Sequence, residues 1–215
     1  MNIPLINKIQ KESHRQIAIA QDIIIEEVYR IIPTAVFHGG TCIWRCYSGK
    51  RFSEDLDFYF PCDKRIDEIF QNLKKQGFKI LKQKISKNSV YSELLYNRTS
   101  VRLEGTFQIK KGELIDYKKV DETIISIYGL TPEQLIHEKI LTYTNRRKIR
   151  DLYDIFFLLK YADFALIKNE IKQLIDTYEP PFDETDLKTI IIEGLIPTAQ
   201  DMLKYIKRKW ENPNI

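Results

Sequence analysis

The sequence is poor in cysteine, with Cys42, Cys46 and Cys62 the only three, and none of them forms a Cys-x-x-Cys pair. An odd count without framework spacing excludes a disulfide scaffold and predicts reduced thiols in an intracellular protein. Long hydrophobic runs are also missing. Stretches such as Ile155-Phe156-Phe157-Leu158-Leu159 fall far short of the ~20 apolar residues a bilayer requires. The first ten residues carry Asn2, Asn7 and Lys8 in place of a continuous apolar segment, so no signal peptide is expected. There is no internal repeat and no low-complexity tract. Of the three histidines, His14 and His137 have no partners at metal-ligand spacing, and His38, directly before Gly39-Gly40, is either a substrate contact or a structural hydrogen-bonder at a strand end. Nor is there a dominant charge: 34 Lys and Arg oppose 30 Asp and Glu, a net +4 that permits an anionic substrate without by itself arguing for nucleic acid. What is present is 43% hydrophobic residues in a chain of 215, enough for a sizeable core and too much for disorder. These features predict a soluble, cytoplasmic protein without membrane association.

Apolar residues at three- and four-residue steps, Ile17, Ala20, Ile24, Val28 and Ile31, predict an amphipathic helix ended by Pro33. Ala35-Val36-Phe37-His38 reads as a short buried strand running into Gly39-Gly40, after which Thr41 is expected to cap a helix reaching Ser48. A second strand is expected over 56–60, and a helix from Asp63 that buries Ile66, Ile69, Phe70 and Leu73 and stops at Gly77. Residues 78–127 are β-prone, with strands expected near 78–85, 90–96, 100–109 and 123–127; Gly105 suggests a bulge or a close backbone approach. After the cap signal Thr131-Pro132-Glu133 the chain reads as helical, near 132–144, 149–161, 164–178, 184–194 and 198–210. The expected class is α+β: a mixed β-sheet flanked by helices over residues 1–130, then a C-terminal helical bundle over 131–215 that contributes to the active-site cleft.

The chemistry concentrates around Asp55 and Asp57. Two apart on a strand, their side chains share one face while Leu56 and Phe58 point into the core. Adjacent carboxylates repel and are costly to desolvate, and a divalent cation with hard oxygen ligands, Mg²⁺ above all, is the usual compensation. Taken alone, such a pair is an ordinary feature of a solvated strand end. Upstream, Gly39-Gly40-Thr41 lies between a strand and a helix, where small residues and helix amides can receive a phosphate and the Thr41 hydroxyl could add a donor. Glu104, in the alternating run Val101–Phe107, is the candidate third carboxylate; it would complete a two-metal clamp or take a proton from an attacking hydroxyl, while a surface-facing strand Glu is the plain alternative.

The blocks Gly39-Gly40-Thr41 and Arg51-Phe52-Ser53-Glu54-Asp55-Leu56-Asp57-Phe58, followed by Lys139 on a helix and Arg150-Asp151-Leu152-Tyr153-Asp154, resemble the AbiEii/AbiGii toxin family of nucleotidyltransferases in the DNA polymerase β-like superfamily. The resemblance runs in order from about Phe37 to Lys160. It implies a nucleotidyltransferase-like fold and transfer of a nucleoside monophosphate from an NTP to a hydroxyl, with release of pyrophosphate. It further implies that Asp55 and Asp57, with Glu104, bind Mg²⁺ or Mn²⁺, that Gly39, Gly40 and Thr41 contact the nucleotide phosphates, that Lys139 neutralises the triphosphate, and that Asp151, in preference to Asp154, completes the essential set. A toxin of a toxin–antitoxin or abortive-infection system follows, with tRNA or another RNA as acceptor and a cognate antitoxin as partner. A small-molecule or protein hydroxyl as acceptor, and a non-catalytic nucleotide- or RNA-binding protein, are the competing readings.

Each of these residues also has a plain structural alternative: Lys139 as a snorkelling helix lysine, Asp151 and Asp154 as helix-start acids. Arg45, Lys50 and Arg51 are either a lining for the triphosphate path or solvated loop charges. The basic stretches 145–148 and 204–210 are either helix ends complementing the dipole or an RNA track with Tyr205 or Trp210 stacking on bases.

Overall fold

The computed structural model describes residues 4–61 and 65–213. Cys62 and Asp63, the expected helix start, lie outside them. The chain divides into two compact units, Met1–Ser48 with Phe52–Leu130, and Gly49–Arg51 with Thr131–Ile215. Three residues in the middle of the first unit's sequence thus group with the second.

The first unit is built on a seven-stranded sheet of order β3-β4-β5-β2-β1-β7-β6. Its strands are β1 (Val36–His38), β2 (Asp55–Phe60), β3 (Lys79–Ile85), β4 (Ser89–Tyr96), β5 (Thr99–Phe107), β6 (Glu113–Lys118) and β7 (Ile124–Gly129). β1 runs parallel to β7 and β2 parallel to β5, while the other neighbours are antiparallel, so the sheet is mixed. Helices α1 (Leu5–Lys8), α2 (Glu12–Ile31), α3 (Gly39–Cys46) and α4 (Ile66–Lys75) belong to the same unit.

Period-two alternation sets the core. Leu56, Phe58 and Phe60 of β2 are fully buried, as are Phe37 and Leu94, with Leu103 nearly so. The Phe37 and Phe58 rings lie 5.1 Å apart and Phe58 and Phe60 5.2 Å apart. Each such ring contributes roughly 1.5–3 kcal/mol by leaving water. The expected stripe of α2, from Ile17 to Ile31, is buried against this face. Gly77, at φ +96°, ends the turn after α4, and the Phe78 amide donates to the Leu73 carbonyl. Gly105 marks a close approach and not a bulge: a Cβ there would stand 2.4 Å from the Phe60 ring. The register shift lies instead at Ile80/Lys82. Strand β6 has no counterpart among the strands expected from the sequence. Its charged, exposed side conceals the short Ile115/Tyr117 alternation, and Tyr117 becomes buried only through long-range contacts.

The second unit contains α5 (Pro132–Arg146), α6 (Ile149–Leu158), α7 (Phe164–Asp176), a 3-10 turn (Glu184–Asp186), α8 (Leu187–Ile190) and α9 (Ala199–Glu211). Thr131 and Gln134 form a reciprocal capping box on α5, and Thr198 and Asp201 another on α9. The single helix expected over 184–194 is broken. Ile191 pairs with Arg51 in an antiparallel bridge, and the Ile192 amide donates to the Lys50 carbonyl, which draws that stretch into extended form. Among the described residues no helix is long and apolar enough to cross a membrane.

Candidate active site

On the face of β2 opposite the core, Asp55 and Asp57 are half-buried. Parallel pairing with β5 places Arg102 beside Asp55 and Glu104 beside Asp57, and antiparallel pairing with β1 sets His38 beside Asp57. Side chains opposite one another in a ladder share a face, so three carboxylates project from two adjacent strands. Burial pushes the Glu104 carboxyl above its ordinary range, and the charges of Asp57 and Asp55 push it further; Arg102 opposes them.

Arg102 grips Asp55 with a two-pronged fork, Nε to Oδ1 at 2.6 Å and Nη2 to Oδ2 at 2.7 Å. Burial and the Asp55 charge act in opposite senses on the guanidinium, and the net effect raises its pKa. A cation thus already partners this acidic face. Sequence reading missed Arg102, although its position two residues before Glu104 in an alternating strand puts it on the same face. Among the described residues, no three His, Cys, Asp or Glu side chains are grouped so as to hold a metal ion as they stand. The donor set nonetheless fits a hard divalent cation: it is all carboxylate, mutually repulsive, and half-accessible.

Gly39 explains the glycine of this turn. Its φ is +75°, and a Cβ there would stand 2.1 Å from Asp57 Oδ2. The left-handed backbone and the carboxylate both exclude a side chain. Gly39→Ala should cost at least about 1–2 kcal/mol from the backbone alone, and it should turn the Asp57 carboxylate away. A lowered melting temperature together with lost activity is expected; an unchanged melting temperature and rate would refute the contact.

The turn after β1 enters α3 three residues earlier than expected, with His38 in place of Thr41 in the capping position. Thr41 is therefore inside the helix and fully buried, and its hydroxyl donates to the Asp55 carbonyl at 2.5 Å. That hydroxyl positions β2 and is not presented to a ligand. From α2, Gln21 Nε2 donates to the carbonyls of Ser53 and Glu54 at 2.9 and 3.0 Å, while His14 stacks on Phe52 with ring centroids 3.9 Å apart. The segment leading into Asp55 is thus held by α2 at two points.

The other predicted residues lie in an ion network of the second unit. Asp151 and Asp154, three apart on α6, share a helix face and are fully buried. Arg51 binds Asp154 through two bonds of 2.6 Å. Lys139, on α5, lies 2.8 Å from Asp154 and 3.3 Å from Asp151. Arg146 binds Asp151 at 2.8 and 2.9 Å. Burial would raise the Asp154 carboxyl, but Arg51 and Lys139 outweigh it and hold it below the ordinary range. Three cations face two carboxylates here. Arg51 is thus not a solvated loop charge. Arg45 is buried on Asp22 at 2.5 Å, and Lys50 pairs with Glu193. The basic run 145–148 is likewise engaged: Arg147 pairs with Glu179 and lies 3.5 Å over the Phe182 ring, and Lys148 meets Asp183 at 3.4 Å. On α9, the Tyr205 ring packs edge-on against Phe156 at 5.0 Å.

A family model described as "Nucleotidyl transferase AbiEii toxin, Type IV TA system" matches residues 32–210. The chain belongs to the AbiEii family. This AbiEii protein is therefore a nucleotidyltransferase of a toxin–antitoxin family. No match is found among curated proteins. Solved structures are similar in fold. MenT4, a nucleotidyltransferase toxin from Mycobacterium tuberculosis, is 17% identical, with a TM-score of 0.63 over 92% of this chain and 82% of that one. JHP933 from Helicobacter pylori is 19% identical, with a TM-score of 0.58 over 91% and 94%. ANT(2")-Ia in complex with adenylyl-2"-tobramycin is 11% identical, with a TM-score of 0.50 over 75% and 98%. The mixed sheet followed by helices in the AbiEii chain is the nucleotidyltransferase fold of these neighbours.

Proposed function

We propose that this AbiEii protein uses a divalent cation, Mg²⁺ or Mn²⁺, to transfer a nucleoside monophosphate from an NTP to a hydroxyl of RNA, tRNA foremost, and that a cognate antitoxin restrains it. One observation carries the reading: the register that sets Asp55, Asp57 and Glu104 on one sheet face beside Gly39. Asp55 and Asp57 would hold the cation, with Asp55 giving up part of its contact with Arg102. When bound, the cation neutralises phosphate charge and polarises the α-phosphate. The acceptor hydroxyl oxygen bonds to the α-phosphorus, the bond from that phosphorus to the oxygen bridging to the β-phosphate breaks, and pyrophosphate departs with the electron pair. Glu104 takes the hydroxyl proton.

The backbone at Gly39-Gly40-Thr41, at the positive end of α3, suits nucleotide phosphates. For Lys139 we assign phosphate neutralisation from within its network, whose three cations exceed its two acids. Asp151 and Asp154 together position those cations.

The test is mass analysis of tRNA and protein after incubation with all four NTPs and Mg²⁺. The expected product is RNA heavier by one or more nucleotides. Addition to a small-molecule or protein hydroxyl would overturn the acceptor, and no product with any NTP or acceptor would overturn the reaction.

A further inference from the structure

The β3–β4 hairpin forms a basic, aromatic extension of the sheet face that carries the carboxylates. Pairing is continuous across it: Lys84 opposite Tyr91, Tyr91 opposite Glu104, and Glu104 beside Asp57. Lys82, Glu93, Arg102 and Asp55 form the next row. At ~4.8 Å between strands, Lys84 lies roughly 14 Å from Asp57 along the row. β3 is the edge strand of the sheet, and Lys79, Lys82, Lys84 and Lys87 are all exposed. None of these four forms an ion pair among the described residues. Lys82, although opposite Glu93, places its ammonium over the Tyr91 ring at 5.2 Å. The contrast with the helical basic run is direct, since Arg146, Arg147 and Lys148 are each matched by an acid.

We propose that this hairpin is the acceptor track: a single-stranded RNA lays its phosphates on Lys82, Lys84 and Lys87 and stacks a base on Tyr91, and the row leads its terminal hydroxyl towards Glu104. The proposal rests on the reading of Asp55, Asp57 and Glu104 given above. Unneutralised cations spaced along an extended edge match the repeating charge of a strand, and an aromatic ring among them receives any base by its π-face. The surface therefore favours a polyanionic chain over a small uncharged acceptor.

Binding of a fluorescein-labelled single-stranded RNA to the full chain, followed by anisotropy across salt concentrations, tests this without catalysis. Lys82→Gln/Lys84→Gln/Lys87→Gln should weaken binding more than tenfold at low salt. It should also flatten the salt dependence by about two, since each neutralised phosphate contributes ~0.7 to the slope for single strands. Tyr91→Ala should weaken binding by about five- to a hundredfold. Lys204→Gln/Lys207→Gln/Lys209→Gln on α9 is the control and should bind as the parent does. Binding of a fluorescent NTP analogue, measured in parallel, should be unchanged in every variant. Equal RNA affinity in the parent and the hairpin variants, or a loss confined to the α9 variant, overturns the track. So does failure of the parent to bind RNA while NTP binding persists. Loss of NTP binding in the parent would instead count against the catalytic reading, with the RNA result standing on its own.

Discussion

Asp57→Asn is expected to lower nucleotidyl transfer by on the order of 10³-fold, about 4 kcal/mol of transition-state stabilisation, without unfolding the first unit. The substitution keeps the shape of the side chain and removes its charge. Asp57 faces away from the core, beside Glu104 and against Gly39, so no apolar packing is lost. The acidic face repels itself: Glu104 is raised by burial, by Asp57 and by Asp55. Removing one of these charges relieves that repulsion, and a melting temperature close to the parent's is expected. A stable protein that no longer reacts is the signature of a functional carboxylate, whereas a structural one would take the fold with it. Pyrophosphate release and thermal unfolding, measured on the same preparation, decide the matter. A rate within tenfold of the parent would remove Asp57 from the chemistry.

Arg51→Met should destabilise the second unit by about 3–5 kcal/mol, the usual consequence of stranding one member of a buried ion pair. Both side chains are almost wholly inaccessible, and both carboxylate oxygens of Asp154 are bound by the guanidinium. After the substitution, Asp154 retains Lys139, which must also serve Asp151. Replacing both partners, as Arg51→Met/Asp154→Leu, removes the stranded charge and should recover most of the loss. Trp44 lies in the first unit and Trp210 in the second, so a Trp44→Phe background lets fluorescence report on the second unit alone during urea unfolding. A single-variant cost below about 1 kcal/mol would contradict the network's structural weight. The same pair sets an acid limit. The Asp154 pKa is depressed in the folded protein, so its contribution is complete above the ordinary carboxylate range and is lost as pH falls through the depressed value.

Arg51 also shows where sequence reading stops. A basic residue between a glycine-containing loop and a strand is compatible with solvent, with a phosphate path or with a buried partner. Nothing local distinguishes these, because the partner, Asp154, lies 103 residues away. Thr41 repeats the lesson at short range. Its position after two glycines suits a helix cap, but the helix starts at Gly39, and the rotation this imposes turns the hydroxyl onto the Asp55 carbonyl.

What the sequence by itself determined is what repeats locally. The alternation of β2 put Asp55 and Asp57 on one face and Leu56 and Phe58 on the other, because successive strand residues point to opposite sides. The three- and four-residue steps of α2, the cap at Thr131 and the stop at Gly77 were legible for the same reason: each is written within a few residues. Tertiary structure alone decided which strand lies beside β2 and in which register. That pairing sets Glu104 next to Asp57 and brings the Arg102 fork onto Asp55. It also decided that β6 adds an edge, and that Arg51 is drawn to Ile191 and Asp154. Sheet order and ion pairing are settled by which distant surfaces bury together most favourably. No local period records that competition, so Asp55, Asp57 and the candidate Glu104 could be found in the sequence, while the pairing that joins them and the Arg102 fork could not.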